Sequence, residues 1–360
     1  MDLFEMQDFD GHEQVVFGFG AASGLRAIIA IHSTALGPAA GGCRMWPYAT
    51  LSDAVADALR LSRGMSYKNA MAELPFGGGK AVIIGDSREK SRQHMEAFGR
   101  LVDSLGGRYI TAEDVGTTMG DMEQVACVTP FVSGLPREMA AGTGHTLHSG
   151  GDPGPKTALG VFLALKAAVR FRLGRASVEG LRIAVQGLGG VGYPLCRLLA
   201  AEGALLRVAD SRAAAVQRVC QELGAQEVAA ESILAEDVDV LAPCALGAVL
   251  NEHSIPALRA QIIAGAANNQ LARHEDGEAL MRAGILYAPD YVINAGGIIS
   301  VAHEYQGGAT AAQVRAEIEK IPARVTEIFE RARRESRPTS AIADELARER
   351  LASASHRKVA

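Results

Sequence analysis

Apolar residues recur in two rhythms along this chain. Between positions 15 and 84 they come in short runs broken by glycine, VVF, AIIAI and AVII, and runs of that length suit strands rather than helices. One helical stretch interrupts them. Val55, Leu59 and Leu61 lie on or near one face of it, and Thr50 followed by Asp53 has the spacing of a capping box, so a helix is predicted from Leu51 to about Gly64. A second helical pattern covers Glu89 to Leu105 and leads into a short strand, RYIT, that runs up to Glu113 and Asp114.

Residues 141–155 read AGTGHTLHSGGDPGP, a composition that suits neither helix nor strand interior and is expected to form a hinge. Beyond it, strands RIAVQ, LLRVAD, VDVLA and IIAGA alternate with helices at 157–171, 195–201 and 213–223, the signature of a parallel, doubly wound sheet. After the glycine-rich NAGG at 294–297 the remainder is mostly helical and charged. The expected architecture is α/β throughout. An N-terminal α/β domain spans 1–145, a Rossmann-type domain spans 146–325, a cleft separates them, and C-terminal helices at 326–360 pack back toward the first domain.

With 360 residues, 48% of them apolar, the chain has material for two cores. Its net charge of -5 does not provide the basic surface that nucleic acid requires. The acidic start, MDLFEMQDFDGHEQ, lacks the pattern of a secretory signal, and no apolar run approaches the roughly 18 residues of a membrane span. Five widely spread cysteines without CxxC spacing fit neither a disulfide framework nor a zinc cage, so a reducing cytoplasm is the expected compartment. His145 and His148 have no carboxylate at ligand spacing, and no metal is expected.

Directly after RIAVQ stands Gly187-Leu188-Gly189-Gly190-Val191-Gly192, followed by a helical pattern and, about 20 residues on, by Asp210 at the end of the next strand. In a chain with 40 glycines the spacing alone would mean little; the strand before, the helix after and the acidic residue make it a dinucleotide loop. Gly187 would make the tight turn, Gly189 would let backbone approach a pyrophosphate, and Gly192 would allow close helix packing. Asp210 would accept from the adenosine ribose and repel a 2′-phosphate, favouring NAD, with Arg212 pulling slightly the other way.

The first domain carries RGMSYKNAMAELPFGGGKAVIIG, in which Lys68 and Lys80 are separated by a glycine-rich turn. Lysines ordinarily face solvent. Lys80, however, precedes an apolar strand, so its amine is expected near a buried cleft, where desolvation and a second cation would depress its pKa toward that of a working base. GGCRMW (41–46), SYKNA, GGGKAVIIG, RYITAEDVGTT (108–118), APCALG (242–247), GAANNQ (265–270) and YAPDYVINAGG (287–297) together resemble the glutamate/leucine/phenylalanine/valine dehydrogenase family, from about His12 to the C-terminal helices.

That resemblance implies that Lys68 binds the substrate carboxylate, that Lys80 is the base activating water, and that Asp114 exchanges protons with the substrate nitrogen. It implies that Gly41 and Gly42 bring backbone close to substrate, that Thr157 and Asn268 border the nicotinamide and substrate, that Asn294 opens the NAGG turn at the cleft, and that Ala245, in APCALG, belongs to the cofactor site. It also implies that the first domain mediates homo-oligomer formation. The positions matching the side-chain pocket, Ala40, Met65, Ala112, Val292 and Ile298, are apolar, which points to a hydrophobic L-amino acid (leucine, valine, isoleucine or phenylalanine) rather than glutamate. RMWPY and TAEDVGTT resemble the leucine branch, Ala40 and LPFGGGK the phenylalanine branch. At the hinge, HSGGDPGPKTA departs from the usual GSSGNPSPVTA, placing Asp152 and Lys156 where the family has asparagine and an apolar residue. Two other readings stay open on sequence: a non-catalytic NAD-sensing homologue, and a dehydrogenase of another amino or hydroxy acid.

Overall fold

The computed structural model describes residues 2–135, 152–307 and 309–359. The chain folds into two units, one of 1–151, 301–311 and 347–360, the other of 152–300 and 312–346. Most of the expected hinge, with His145 and His148, lies outside the described residues.

The first unit is built on a six-stranded mixed sheet. Strands β1 (Gln14–Gly20), β2 (Leu25–Ser33), β3 (Ala39–Ala40), β4 (Cys43–Trp46), β5 (Gly77–Ile84) and β6 (Tyr109–Ile110) lie in the order β1-β2-β5-β3-β6, with β4 also on β5. β2 pairs antiparallel with both β1 and β5, while β3 and β4 join β5 in parallel. Both faces of β2 are buried, which explains its unbroken apolar run. One face packs Ile29, Ile31, Met95, Phe98 and Tyr109 into a core with helix α2 (Arg92–Asp103); the other packs Ile28, Ala30 and Val82 beneath Val55 and Leu59 of helix α1 (Leu51–Met71).

Helix α1 begins as the pattern requires, with Thr50 and Asp53 forming the reciprocal cap. It does not stop at Gly64 but continues seven residues to Met71. An interior glycine costs a helix only about 1 kcal/mol, and burial of Ser66, Tyr67, Asn69 and Ala70 against the sheet outweighs it. Arg350 then donates to the terminal carbonyls of Ala70 and Met71, closing the helix with a cation at its negative end. The glycines ahead of Lys80 also differ from expectation. They form no turn; Gly77, Gly78 and Gly79 are the first three residues of β5, and Lys80 stands in mid-strand. A side chain on Gly78 would meet the backbone nitrogen of Ser66 at 2.0 Å, and one on Gly79 the ring of Tyr109 at 2.7 Å. These residues are glycine because helix and aromatic ring lie directly on the strand.

The second unit holds six strands, all parallel: β7 (Arg182–Gln186), β8 (Leu205–Ala209), β9 (Gln226–Glu227), β10 (Val240–Pro243), β11 (Ile262–Ile263) and β12 (Leu286–Tyr287). Their order, β12-β11-β10-β7-β8-β9, is the doubly wound dinucleotide arrangement, and the order reverses between β7 and β10. Helices α4 (Gly154–Leu173), α5 (Gly192–Ala201) and α6 (Ala213–Leu223) lie among them, with α3 (Met119–Ala126) in the first unit. IIAGA yields only two residues of strand, because after Ile263 the chain turns away to build the loop that carries Asn268. NAGG is likewise no simple turn. Gly296 and Gly297 open a helix, and a Cβ on Gly296 would lie 2.1 Å from the carbonyl oxygen of Lys156, so that helix crosses the start of α4 at backbone contact.

No helix among the described residues is long and apolar enough to cross a membrane.

Candidate active site

Strand β5 carries Lys80 into the first unit's interior, where only 5% of it is exposed. Its Nζ lies 2.8 Å from Oδ2 of Asp114. Asp114 follows β6 in a loop whose shape is set locally: Thr117 Oγ1 accepts from the Asp114 backbone N–H and donates to the Cys43 carbonyl. A Cβ on Gly42 would lie 2.9 Å from that of Asp114, and a Cβ on Gly41 only 1.8 Å from the Gly79 carbonyl oxygen. Any larger residue at either position would push the Asp114 loop or β5 away. Tyr109 is wholly buried and donates its hydroxyl to the Gly41 carbonyl at 2.5 Å. Met65, from α1, stands beside Gly41 at 3.2 Å from where a Cβ would be, and half-buried Lys68 lies one turn further along the same helix. Ala40 pairs in the sheet with Gly78 and Ile110, and the Ala112 carbonyl accepts from Cys43.

A third charged group joins this cluster. Arg44 donates through Nε to Asp114 Oδ2 at 3.1 Å and through Nη1 to Asp57 Oδ2 at 3.0 Å. Burial by itself would raise the Asp114 carboxyl; Lys80 and Arg44 outweigh it and hold the group below the usual carboxylate range. Arg44 carried no role in the sequence reading, although it stands inside GGCRMW; its reach to Asp57, thirteen residues away, is set by tertiary contact alone. Cys43, beneath the pair, is fully buried and its thiol is pushed far up by that burial, which leaves it neutral packing.

In the second unit the glycine loop has the geometry its spacing predicts. Gly187 takes φ +94° against Ala245, and a Cβ on Gly192 would fall 1.9 Å from the Gly187 carbonyl oxygen, so the loop and the start of α5 are tightly joined. Above Gly189 and Gly190 the space is open, and the N-terminus of α5 has no side-chain cap. Backbone N–H groups of that kind suit a pyrophosphate. Asp210 accepts from the Leu188 N–H at 2.6 Å and from the backbone and side chain of Arg212. Burial opposes its ionisation, yet the Arg212 side chain and the two backbone donors hold the carboxyl at about 2.

Asn294 is buried and donates to the Ala266 carbonyl and to the side-chain Oδ1 of exposed Asn268, bringing those two asparagines together. Thr157, in the first turn of α4, lies 2.6 Å from where a Cβ of Gly297 would be. Val292 is buried and Ile298 half-buried. Of the hinge departures, Asp152 accepts from the Gly154 N–H at the start of α4, and Lys156 donates to Ser300 at 2.5 Å.

A family model described as "Glu/Leu/Phe/Val dehydrogenase, dimerisation domain" matches residues 12–129, and one described as "Glutamate/Leucine/Phenylalanine/Valine dehydrogenase" matches 204–358. The chain is 48% identical over 352 residues to a leucine dehydrogenase of Bacillus subtilis (strain 168), covering 98% of this chain and 94% of that protein. It is 47% identical over 353 residues to a valine dehydrogenase of Streptomyces virginiae, covering 96% of each. Among solved structures, that of L-tryptophan dehydrogenase from Nostoc punctiforme superimposes with a TM-score of 0.84 at 43% identity, over 96% of this chain and 97% of that one. The chain belongs to the glutamate/leucine/phenylalanine/valine dehydrogenase family. It is an oxidoreductase, an amino-acid dehydrogenase.

Proposed function

We propose that this chain catalyses the NAD-dependent, reversible oxidative deamination of an L-amino acid with a branched aliphatic side chain, giving the 2-oxo acid and ammonia. The observation that carries the reading is the buried Lys80–Asp114 pair, an amine and a carboxylate 2.8 Å apart, walled by Gly41 and Gly42. Lys68 holds the substrate carboxylate and so orients the α-carbon. NAD, when bound, accepts the hydride from that carbon. Lys80 takes the proton of the water that adds there, and Asp114, a carboxylate, takes a proton from the substrate ammonium and returns it to the departing amine. Residues of the second unit that would hold NAD are Gly187 to Gly192 at the pyrophosphate with Ala245 against Gly187, Asp210 at the ribose, and Thr157 and Asn268 toward the nicotinamide.

Ionised Asp210 favours NAD over its 2′-phosphate, and Arg212 is paired to Asp210 rather than presented to a phosphate. The apolar character of Ala40, Met65, Ala112, Val292 and Ile298, with leucine and valine dehydrogenases among the relatives, supports the substrate class. A homo-oligomer assembled through the first unit accords with the "dimerisation domain" description, and five free cysteines with a cytoplasmic setting.

The test is NADH formation at alkaline pH across a panel of L-amino acids. Leucine and valine should turn over fastest and glutamate least. Lys80→Ala should lose turnover by about a hundredfold or more while NADH still binds, read by its fluorescence. Retention of most of the turnover by Lys80→Ala would remove the lysine from its role as base.

A further inference from the structure

One oxygen of Asp114 is shared by two cations. Oδ2 lies 2.8 Å from Lys80 Nζ and 3.1 Å from Arg44 Nε. Arg44 is itself anchored on the far side. Its Nη1 donates to Asp57 Oδ2 at 3.0 Å, and Asp57 also receives the Tyr48 hydroxyl at 2.5 Å and Arg60 Nη2 at 2.7 Å. Arg44 comes from β4, Asp57 from α1 and Asp114 from the loop after β6; backbone bonds such as Cys43 N–H to the Ala112 carbonyl already tie β4 to that loop, and the guanidinium adds a link from the Asp114 carboxylate itself to α1. The Arg44 and Asp57 side chains are 22% and 12% exposed, so both are largely packed into the fold.

We propose that Arg44 is a positioning residue for deamination: it fixes Asp114 Oδ2 beside Lys80, and the Asp57–Tyr48 pair fixes Arg44. The inference rests on the reading of Lys80 and Asp114 as the proton-handling groups. A guanidinium suits this task where an ammonium does not, because its planar fork addresses two carboxylates at once in fixed directions and its charge persists at every working pH.

The groups that face Asp114 are Lys80 from β5, Arg44 and Cys43 from β4, and Tyr109 from β6. On its own loop Glu113 precedes it and Thr117 bonds its N–H. Of these only Lys80 and Arg44 are cations. The low-lying Asp114 carboxyl accords with two cations rather than one. Removing Arg44 takes a positive charge from beside the pair, and loss of a nearby positive charge raises the pH at which either member gives up its proton.

The experiment compares Arg44→Gln, Arg44→Lys and Asp57→Asn with the wild type, reading kcat and kcat/KM for L-leucine across pH, with thermal melts as a check on folding. Arg44→Gln should move the acidic limb of kcat/KM upward by about 1 unit and lower kcat about 10- to 100-fold. Arg44→Lys keeps the charge but not the fork, so the limb should stay near its wild-type position while kcat falls. Asp57→Asn should lower kcat in the same sense, because Arg44 loses its anchor. A folded Arg44→Gln with wild-type kcat and an unmoved limb overturns the proposal, as does a loss of activity that follows the melting temperature with no shift of the limb. Failure of the underlying reading looks different: Asp114→Asn would then keep wild-type turnover, whatever the Arg44 variants do.

Discussion

Gly78→Ala is a demanding test of how this site is assembled. Gly78 lies in β5 two residues before Lys80, and an added methyl would sit 2.0 Å from the backbone nitrogen of Ser66 and 2.5 Å from its Cα. Carbon contacts relax only near 3.5 Å, so strand and helix must part by about 1.5 Å. Ser66 is not free to yield alone, since its hydroxyl bonds His32 Nδ1 at 2.8 Å on β2. The movement therefore falls on the second half of α1, which carries Met65 and Lys68, and separates them from Lys80. Overpacking of this kind costs about 1–3 kcal/mol, or a melting temperature lower by roughly 3–10 °C. A 1 Å misplacement of positioning groups lowers turnover by about a hundredfold. Gly64→Ala is the matched control: the same helix, a site with nothing within 4 Å, and an expected gain of up to about 1 kcal/mol with unchanged kinetics. The measurements are thermal unfolding and initial rates of NADH formation with L-leucine. Wild-type stability and kcat/KM in Gly78→Ala would show that α1 does not lie on β5 as described. A lowered melting temperature with unaltered kinetics would separate Lys68 from the substrate.

Two further outcomes are expected. Asp210→Ser should narrow the preference for NAD over NADP, since it removes a carboxylate that remains ionised down to about pH 2 and frees Arg212 to meet a 2′-phosphate; an unchanged ratio of catalytic efficiencies would dissociate Asp210 from the ribose. His32 is buried beside His12, and that burial, followed by the neighbouring imidazole, lowers it from 6.5 to about 4. Between pH 6.5 and about 4 the unfolded chain takes up a proton that the folded chain refuses, so stability falls as pH drops through that window, by up to roughly 3 kcal/mol. His32→Gln should flatten the dependence of melting temperature on pH between 7 and 5, and a slope equal to that of the wild type would contradict the assignment.

Much of the molecule could be read along the chain because the relevant physics is local. The capping box at Thr50 and Asp53, the alternation of strand and helix after residue 157, and the glycine loop at 187–192 each depend on residues within a turn or a strand of one another. The burial of Lys80 was also legible, since the apolar run AVII follows it directly. What stayed hidden depends on close approach between distant segments. Gly77 to Gly79 look like a turn in sequence and are strand in the fold, because Ser66 and Tyr109 leave no room for side chains there. Gly64 looks like a helix end and is helix interior, because packing of the next seven residues on the sheet outweighs the cost of one glycine. Arg44 has no role along the sequence, and only the meeting of β4, α1 and the loop after β6 gives it two carboxylates to bridge. Sequence by itself singled out the residues to which we assign the chemistry. Tertiary structure decided how they are held, because the distances that hold them run between elements whose separation no local pattern encodes.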